Sequence, residues 1–515
     1  MFRKFLSRRR FLQGTAAGAT VLGATHFTPV PASAAGGDAV FAYPDDPGSF
    51  DPTICSGQNC SRAIEPLYEG LTRFDASVNV QPCLATSWEN PDPQTWIFHL
   101  RDGVKFHDGS PMTAEDVKYS LDRVLDPNMP GSNRPYYETI QDVQVVDPLT
   151  VKLLLNRPYT PLLGALASGT GAGIISKAWG EAQSAQGITD FATAEMGTGP
   201  FALTDYVSGD HFTFTKFADY WDTQPGINTI TFKILPETAA RVAALQAGTV
   251  DYAPLDATSA AQLEGASNVT VYEIQGFTMP VSIHNLRRKP YDDPRVRQAI
   301  AIGVDRQEVI QKVFEGKATL TGPVMTGFAD WFIPVDQLPY TVDREKARSL
   351  LADAGYPDGF ETTILGLNTA PYADVGVVYQ AQLKEIGIKA DLQQTEFTAW
   401  LDKIHQFDYD THVNGYGFNF DPDAIMGRSF MCGSSGNFPG YCDPKFDDLE
   451  KALVATSDHA ERVKVALEME QMLLNDASFI WWCTAHDFAA SSKRLTGFTP
   501  SPTGYLREAL KAASI

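Results

Sequence analysis

The sequence predicts a mixed α/β protein of two or three domains. Strand and helix signals alternate irregularly along it, with no internal repeat. About 480 residues remain once an N-terminal leader is set aside, more than one core usually serves. Hairpin signals crowd the first half, whereas a helix-then-strand pattern in the second suggests a βαβ unit.

The leader comes first. "SRRRFLQG", Ser7 to Gly14, precedes a modestly apolar run thinned by Gly14, Gly18 and Gly23, and Ala32-Ser33-Ala34 offers a small-residue cleavage site. Together these describe an export signal over residues 1–34, too short to span a membrane. Ser7-Arg8-Arg9-Arg10-Phe11-Leu12 fits the twin-arginine pattern with Arg10 in the variable slot; the alternative is an ordinary secretory signal with one extra Arg. No lipidation Cys follows the site, and no later stretch reaches membrane-spanning length without charges, so the mature chain is expected to be soluble. Removing the leader takes away five basic residues and no acid, moving the formal charge from −21 to −26. That weighs against nucleic acid or anionic lipid as a partner, since both want a basic surface.

"TWIFHLRDGVKFHDG" alternates Trp96, Phe98 and Leu100, turns at Asp102-Gly103 and continues with Val104 and Phe106, which predicts a hairpin. In "SPMTAEDVKYSLDRVL", Thr113 and Asp116 form a variant capping box, and Val117, Ser120, Leu121 and Val124 follow helical spacing. "VQVVDPLTVKLLL" predicts a second hairpin turning at Asp147-Pro148. Further on, Asp293 caps a helix with Pro294 in its first turn, and Ala299, Ile300 and Val304 form the inward stripe. Asp343 caps another, with Leu350, Leu351 and Ala354 inward and Gly355 as the stop. "QLKEIGIKADLQ" reads as a helix end, a Gly break and a strand through Ile388, Ala390 and Leu392.

Six cysteines in an exported chain are expected to be partly oxidised. Fifteen pairings are possible; short Gly-containing loops favour Cys55–Cys60 and Cys432–Cys442. Cys83 and Cys483 stand in apolar surroundings and read as core thiols, with nothing to support a catalytic role. The stretch "GYGFNFDPDAIMGRSF" sets Tyr416, Phe418 and Phe420 at period two before Asp421-Pro422-Asp423, the face either of a core or of a ligand cleft.

Five segments in order, "TWIFHLRDGVKFHDGSPMTAEDVKYSLDRV", "IHNLRRKPYDDPRVRQAIAIGVDRQEVI", "EKARSLLADAGYPDGF", "QLKEIGIKADLQ" and "GNFPGYCDPKFDDLEKAL", resemble the extracytoplasmic solute-binding proteins of ATP-driven (ABC) importers, family 5, the peptide and nickel class. The likeness runs from about Phe41 to beyond Trp482. It implies an α/β, two-lobed periplasmic-binding-protein fold (type II, large class C-like) with an extra domain inserted in the first lobe. Residues 36–80, 197–275 and 487–515 would form lobe I, residues 81–196 the insert and residues 276–486 lobe II, with crossovers near 275 and 486 as the hinge. It also implies a monomeric periplasmic receptor without catalytic residues, cofactor or metal, which closes on a peptide or peptide-like solute and presents it to a membrane permease.

In dipeptide-binding members an Asp early in the Gly415–Phe430 segment pairs with the peptide's ammonium, and an Arg in the preceding strand holds its carboxylate. Here the register puts Phe418 at the first position and Gly366 or Leu367 at the second. The expected site is therefore apolar and aromatic, taking an aromatic or weakly charged solute, or a longer one gripped through its middle. Its candidate residues are Tyr43, Asp45, Asn368, Thr369, Trp400, Tyr416, Phe418, Asn419 and Asp421, with Asp421 or Asp45 as partner for a cation. The rivals are a nickel or metal-chelate carrier and, more remotely, a secreted hydrolase. The nine histidines include no metal-binding motif beyond a loose His405 and His412 pair, and no nucleophile elbow is present. An additional chaperone or signalling role is indistinguishable from import at this level.

Overall fold

The computed structural model describes residues 37–55, 57–75, 78–130, 133–417 and 421–515; the leader expected over 1–34 lies outside them. The strands in chain order begin with β1 (Gly37–Tyr43), β2 (Thr72–Phe74), β3 (Val80–Pro82), β4 (Ala85–Asp92), β5 (Thr95–Leu100), β6 (Ile140–Asp147) and β7 (Thr150–Leu155). Next come β8 (Phe201–Val207), β9 (His211–Lys216), β10 (Ile227–Ile234), β11 (Tyr252–Leu255) and the sixteen-residue β12 (Val269–His284). The rest are β13 (Ala318–Thr319), β14 (Glu361–Leu367), β15 (Lys389–Thr395), β16 (Thr411–Tyr416), β17 (Phe479–Trp481) and β18 (Thr484–Ser492).

Among the described residues twelve strands share one sheet, in the order β15-β14-β16-β12-β18-β11-β1-β10-β9-β8, with β13 on β18 and β17 on β12. β12 serves both halves. Val269–Gln275 pairs with β18, Met279–His284 pairs with β16, and the ladder breaks between Gln275 and Thr278. Gly276 sits at that break: a Cβ there would stand 2.7 Å from the Ala485 carbonyl oxygen and 2.9 Å from the Asp487 carboxylate. The second passage between halves is the step from β17 to β18 through Trp482 and Cys483.

The βαβ expectation holds. β14 and β15 are parallel, joined through the helix Tyr372–Glu385, with Ile388 buried just before the second strand. In the first half β4-β5-β7-β6 form an antiparallel sheet of their own, including the hairpin through Pro148. The helix Ala114–Leu125 packs on it with Val117, Leu121 and Val124 inward, and its capping box forms as expected, the Thr113 N–H donating to Asp116 Oδ2 at 2.8 Å. Asp293 and Asp343 cap their helices through side-chain oxygens.

One hairpin is corrected. β5 pairs with β4 and β7, not with Val104–Phe106. Val104 and Phe106 are buried in the same core, but their segment folds on itself, the Phe106 N–H donating to Ser110 O at 2.9 Å. Apolar alternation reported burial there and not pairing. Both expected disulfides are present, Cys55–Cys60 and Cys432–Cys442, while Cys83 and Cys483 are free and buried. Burial pushes both free thiols well above their ordinary range, away from nucleophilic thiolate. No helix among the described residues is long and apolar enough to cross a membrane.

Candidate functional site

A cavity of about 1050 Å³ opens where the segments flanking β6 and β7, the helix Gly57–Ile64, the loop near Tyr505 and the helices after β16 come together. From the first half of the chain it is lined by Arg62, Tyr136, Arg157 and Tyr159, and from the C-terminal segment by Tyr505. From the second half come Asp423, Gly427 and Arg428 of the helix Asp423–Phe430, and Glu450 of the helix Pro444–Ala455.

The two sides touch at one edge. The Tyr159 hydroxyl donates to Asp423 Oδ2 at 2.7 Å, the Thr160 N–H to Val454 O at 2.8 Å and the Thr160 hydroxyl to Thr456 O at 2.9 Å. Burial, then the neighbouring Asp423 charge, pushes the Tyr159 hydroxyl well above its ordinary range, so it stays a donor. Tyr505 is pushed up to about 12 by burial. Arg62 reaches the Thr503 carbonyl at 3.4 Å and lies 3.9 Å from Asp487, between the large cavity and a second hollow of about 130 Å³ that it also lines.

Asp423 and Glu450 are the unusual pair. Glu450 is only 1% exposed, and its carboxyl lies in hydrogen-bond reach of that of Asp423 and of no other side chain among the described residues. Burial first, and the Asp423 carboxylate second, push it well above the ordinary carboxyl range. It faces inward because it occupies the apolar stripe of its helix with Phe446, Leu453 and Val454. Gly427 makes room: a Cβ there would collide with Asp423 Oδ1 and stand 2.7 Å from Glu450 Oε1.

The expected site residues scatter. Tyr43 lines the smaller hollow, edge-on to Phe212 and Phe232, with its hydroxyl donating to the Asn59 carbonyl. Asp45 is exposed and accepts from the Asn59 side-chain amide. Asn368 and Thr369 are exposed beyond the end of β14, where the Asn368 N–H donates to Thr395 O at 2.9 Å. Trp400 is 4% exposed, stacked near Phe397 and edge-on to His412. Tyr416 stacks on Phe479 and shares a 3.0 Å hydrogen bond with Ser429. Asp421 is buried against Arg462, both oxygens at 2.8 Å from the same guanidinium nitrogen. Phe418 and Asn419, and with them most of the expected aromatic face, lie outside the described residues.

Apart from Tyr43, the described candidates line neither hollow. Sequence reasoning missed Tyr159, Asp423 and Glu450. For Glu450 a signal existed, an acid set at i+4 from Phe446 within an apolar stripe; for Tyr159 there was none, because its partner lies 264 residues away.

With this geometry in view, the comparisons are direct. The family model for bacterial extracellular solute-binding proteins, family 5 middle, matches residues 79–437. The chain belongs to that family. It is 30% identical over 500 residues to the dipeptide-binding protein of Escherichia coli strain K12, covering 90% of this chain and 92% of the relative. It is 29% identical to heme-binding protein A of Haemophilus influenzae, also over 500 residues and 90% of each chain. The solved structure of HbpA2 from Haemophilus parasuis superposes with a TM-score of 0.84 at 26% identity, covering 93% of this chain and 99% of that one. The protein is a substrate-binding receptor of an ABC importer, with the two-lobed α/β fold of its family.

Proposed function

We propose that this receptor captures a peptide-like or aromatic-bearing solute in the 1050 Å³ cavity and hands it to a membrane permease, as an exported, leader-cleaved, monomeric protein that performs no covalent chemistry. The observation that carries the reading is a cavity lined from both halves of a family 5 chain, with three tyrosines and charges of both signs on its walls. Its volume suits a ligand of several residues. Stacking on Tyr136, Tyr159 and Tyr505 suits aromatic or amide planes, and Arg157 and Arg428 suit a carboxylate. Phe418 and Asn419, on the connection between β16 and the helix Asp423–Phe430, are retained as proposed contacts in place of the charged anchor of the dipeptide-binding pattern. The hinge is proposed at the two passages between halves, Gln275–Thr278 and Trp482–Cys483. A solute that touches both lobes only when they meet shifts the population toward closure.

A thermal-shift screen over tripeptides, opine-like amides, aromatic amides and oligosaccharides tests this. At a hundredfold excess over Kd a ligand adds about 2.7 kcal/mol of stability. Stabilisation by a peptide-like or aromatic class supports the reading; stabilisation by oligosaccharides alone overturns it.

A further inference from the structure

We infer that the β2–β3 hairpin is an apolar clasp, whose residues Phe74 and Val78 seat on the loop 324–333 of the second half and hold the lobes together whatever the solute. This rests on the reading of the protein as a closing receptor. It goes beyond that reading by placing part of the drive for closure outside the cavity, which neither residue lines.

Three observations carry it. Phe74 and Val78 are buried, at 9% and 5% exposure, in one apolar cluster with Phe277, Met325, Phe328 and Trp331. Apart from these two and Ala167, every buried member of that cluster lies between Phe277 and Trp481, so the hairpin reaches out of its own half into the core of the other. The second observation is the backbone of Val78, which holds a φ of +65°. Gly and Asn enter that left-handed region readily, and a branched Cβ does not. The turn is closed by the Val78 N–H on Asp75 O at 3.0 Å and the Asn79 N–H on Asp75 Oδ1 at 2.9 Å, bonds that need no valine side chain. A valine there costs the turn stability, and burial of its methyl groups against the other half offsets that cost. Third, the seat is fixed to its own half: Glu470 accepts from the Val324 N–H at 3.2 Å and from the Ile333 N–H at 2.7 Å.

When the lobes part, the hairpin tip and its seat are wetted together. The apolar contact therefore favours the closed form of the empty receptor, and it multiplies the affinity for every solute by the same factor, because it sets the binding-competent fraction. Contacts inside the cavity discriminate between solutes; the clasp does not.

The test places spin labels at Val146→Cys and Val377→Cys, two exposed positions on β6 and on the helix Tyr372–Glu385. Cys83 and Cys483 are buried and stay unlabelled. Pulsed electron resonance then reads the distance distribution of the mature protein, alone and with a pool of tripeptides. We expect Val78→Gly to lower the closed-to-open ratio about tenfold, the order of burying one Val side chain, and to weaken every bound member of the pool by that factor. Its melting temperature does not fall, since Gly accepts the left-handed turn. Val78→Asn, also at ease in that conformation, opens the receptor at least as far, because closure buries its amide without a partner. Distances unchanged in both variants, while the tripeptides still shorten them as in the wild type, overturn the clasp and leave the closing reading standing. Distances that neither tripeptides nor substitutions move overturn both.

Discussion

The contact between Tyr159 and Asp423 makes a quantitative prediction about closure. Tyr159→Phe keeps the ring and removes one hydroxyl that donates to a carboxylate at 2.7 Å across the cleft. Hydrogen bonds to charged groups are worth about 1.5–3 kcal/mol, and this one exists only when the two sides meet. Its loss therefore shifts the open–closed balance by about tenfold to one hundredfold. The two bonds from Thr160 to Val454 and Thr456 remain, so closure is weakened and not abolished. Where the closed form is the minor state of the free receptor, apparent affinity falls by the same factor, since the binding-competent fraction divides the intrinsic constant. Isothermal titration with whichever solute the thermal screen identifies measures that loss. Urea unfolding is the control: if the bond belongs to the closed arrangement alone, global stability should move by less than about 0.5 kcal/mol. Unchanged affinity in a normally folded variant would refute the reasoning, because it would mean this contact does not distinguish the two states.

Other consequences follow from groups away from the cavity. Asp421→Asn leaves the Arg462 guanidinium buried without its counter-charge and should cost about 3–5 kcal/mol in denaturant unfolding; a loss below about 1 kcal/mol would show the pair to be solvated. Burial raises the Glu470 carboxyl from 4.5 to about 8, although it accepts from the Val324 and Ile333 N–H groups. The folded protein thus keeps a proton that the unfolded chain releases, so this contribution is complete below about pH 4.5 and is lost as pH rises through about 8, at no more than about 1.4 kcal/mol per unit. Glu470→Gln should flatten the fall in melting temperature across that window, and an unchanged slope would count against it. Replacing Cys432 and Cys442 by Ser opens a loop closed at a separation of ten residues, which by chain entropy alone costs about 2.7 kcal/mol; an unshifted denaturant midpoint would contradict this.

Local features were legible in the sequence because their causes are local. The Thr113–Asp116 cap, the turn at Pro148, the Asp293 and Asp343 caps and the two short disulfide loops each depend on residues within ten positions of one another. The hairpin assigned at Asp102-Gly103 failed because alternation says which residues are buried, and Val104 and Phe106 are buried without pairing to β5. The same ambiguity governs Trp400 and Tyr416, whose rings pack on Phe397 and Phe479. The cavity was harder still. Its walls come from segments near 62, 136–159, 423–450 and 505, and only the folded chain brings them together. Family likeness supplied the two-lobed architecture and pointed to the connection after β16, of which residues 418–420 lie outside the described residues; the described cavity wall on that side is built from the two helices that follow it.

Small-angle scattering of the mature chain, alone and saturated with a stabilising solute, is the measurement closest to the mechanism. A receptor whose lobes swing about Gln275–Thr278 and Trp482–Cys483 becomes measurably more compact when loaded, and Tyr159→Phe needs more solute to reach the same radius. A radius that stays constant from empty to saturated would leave no moving clamp to explain capture.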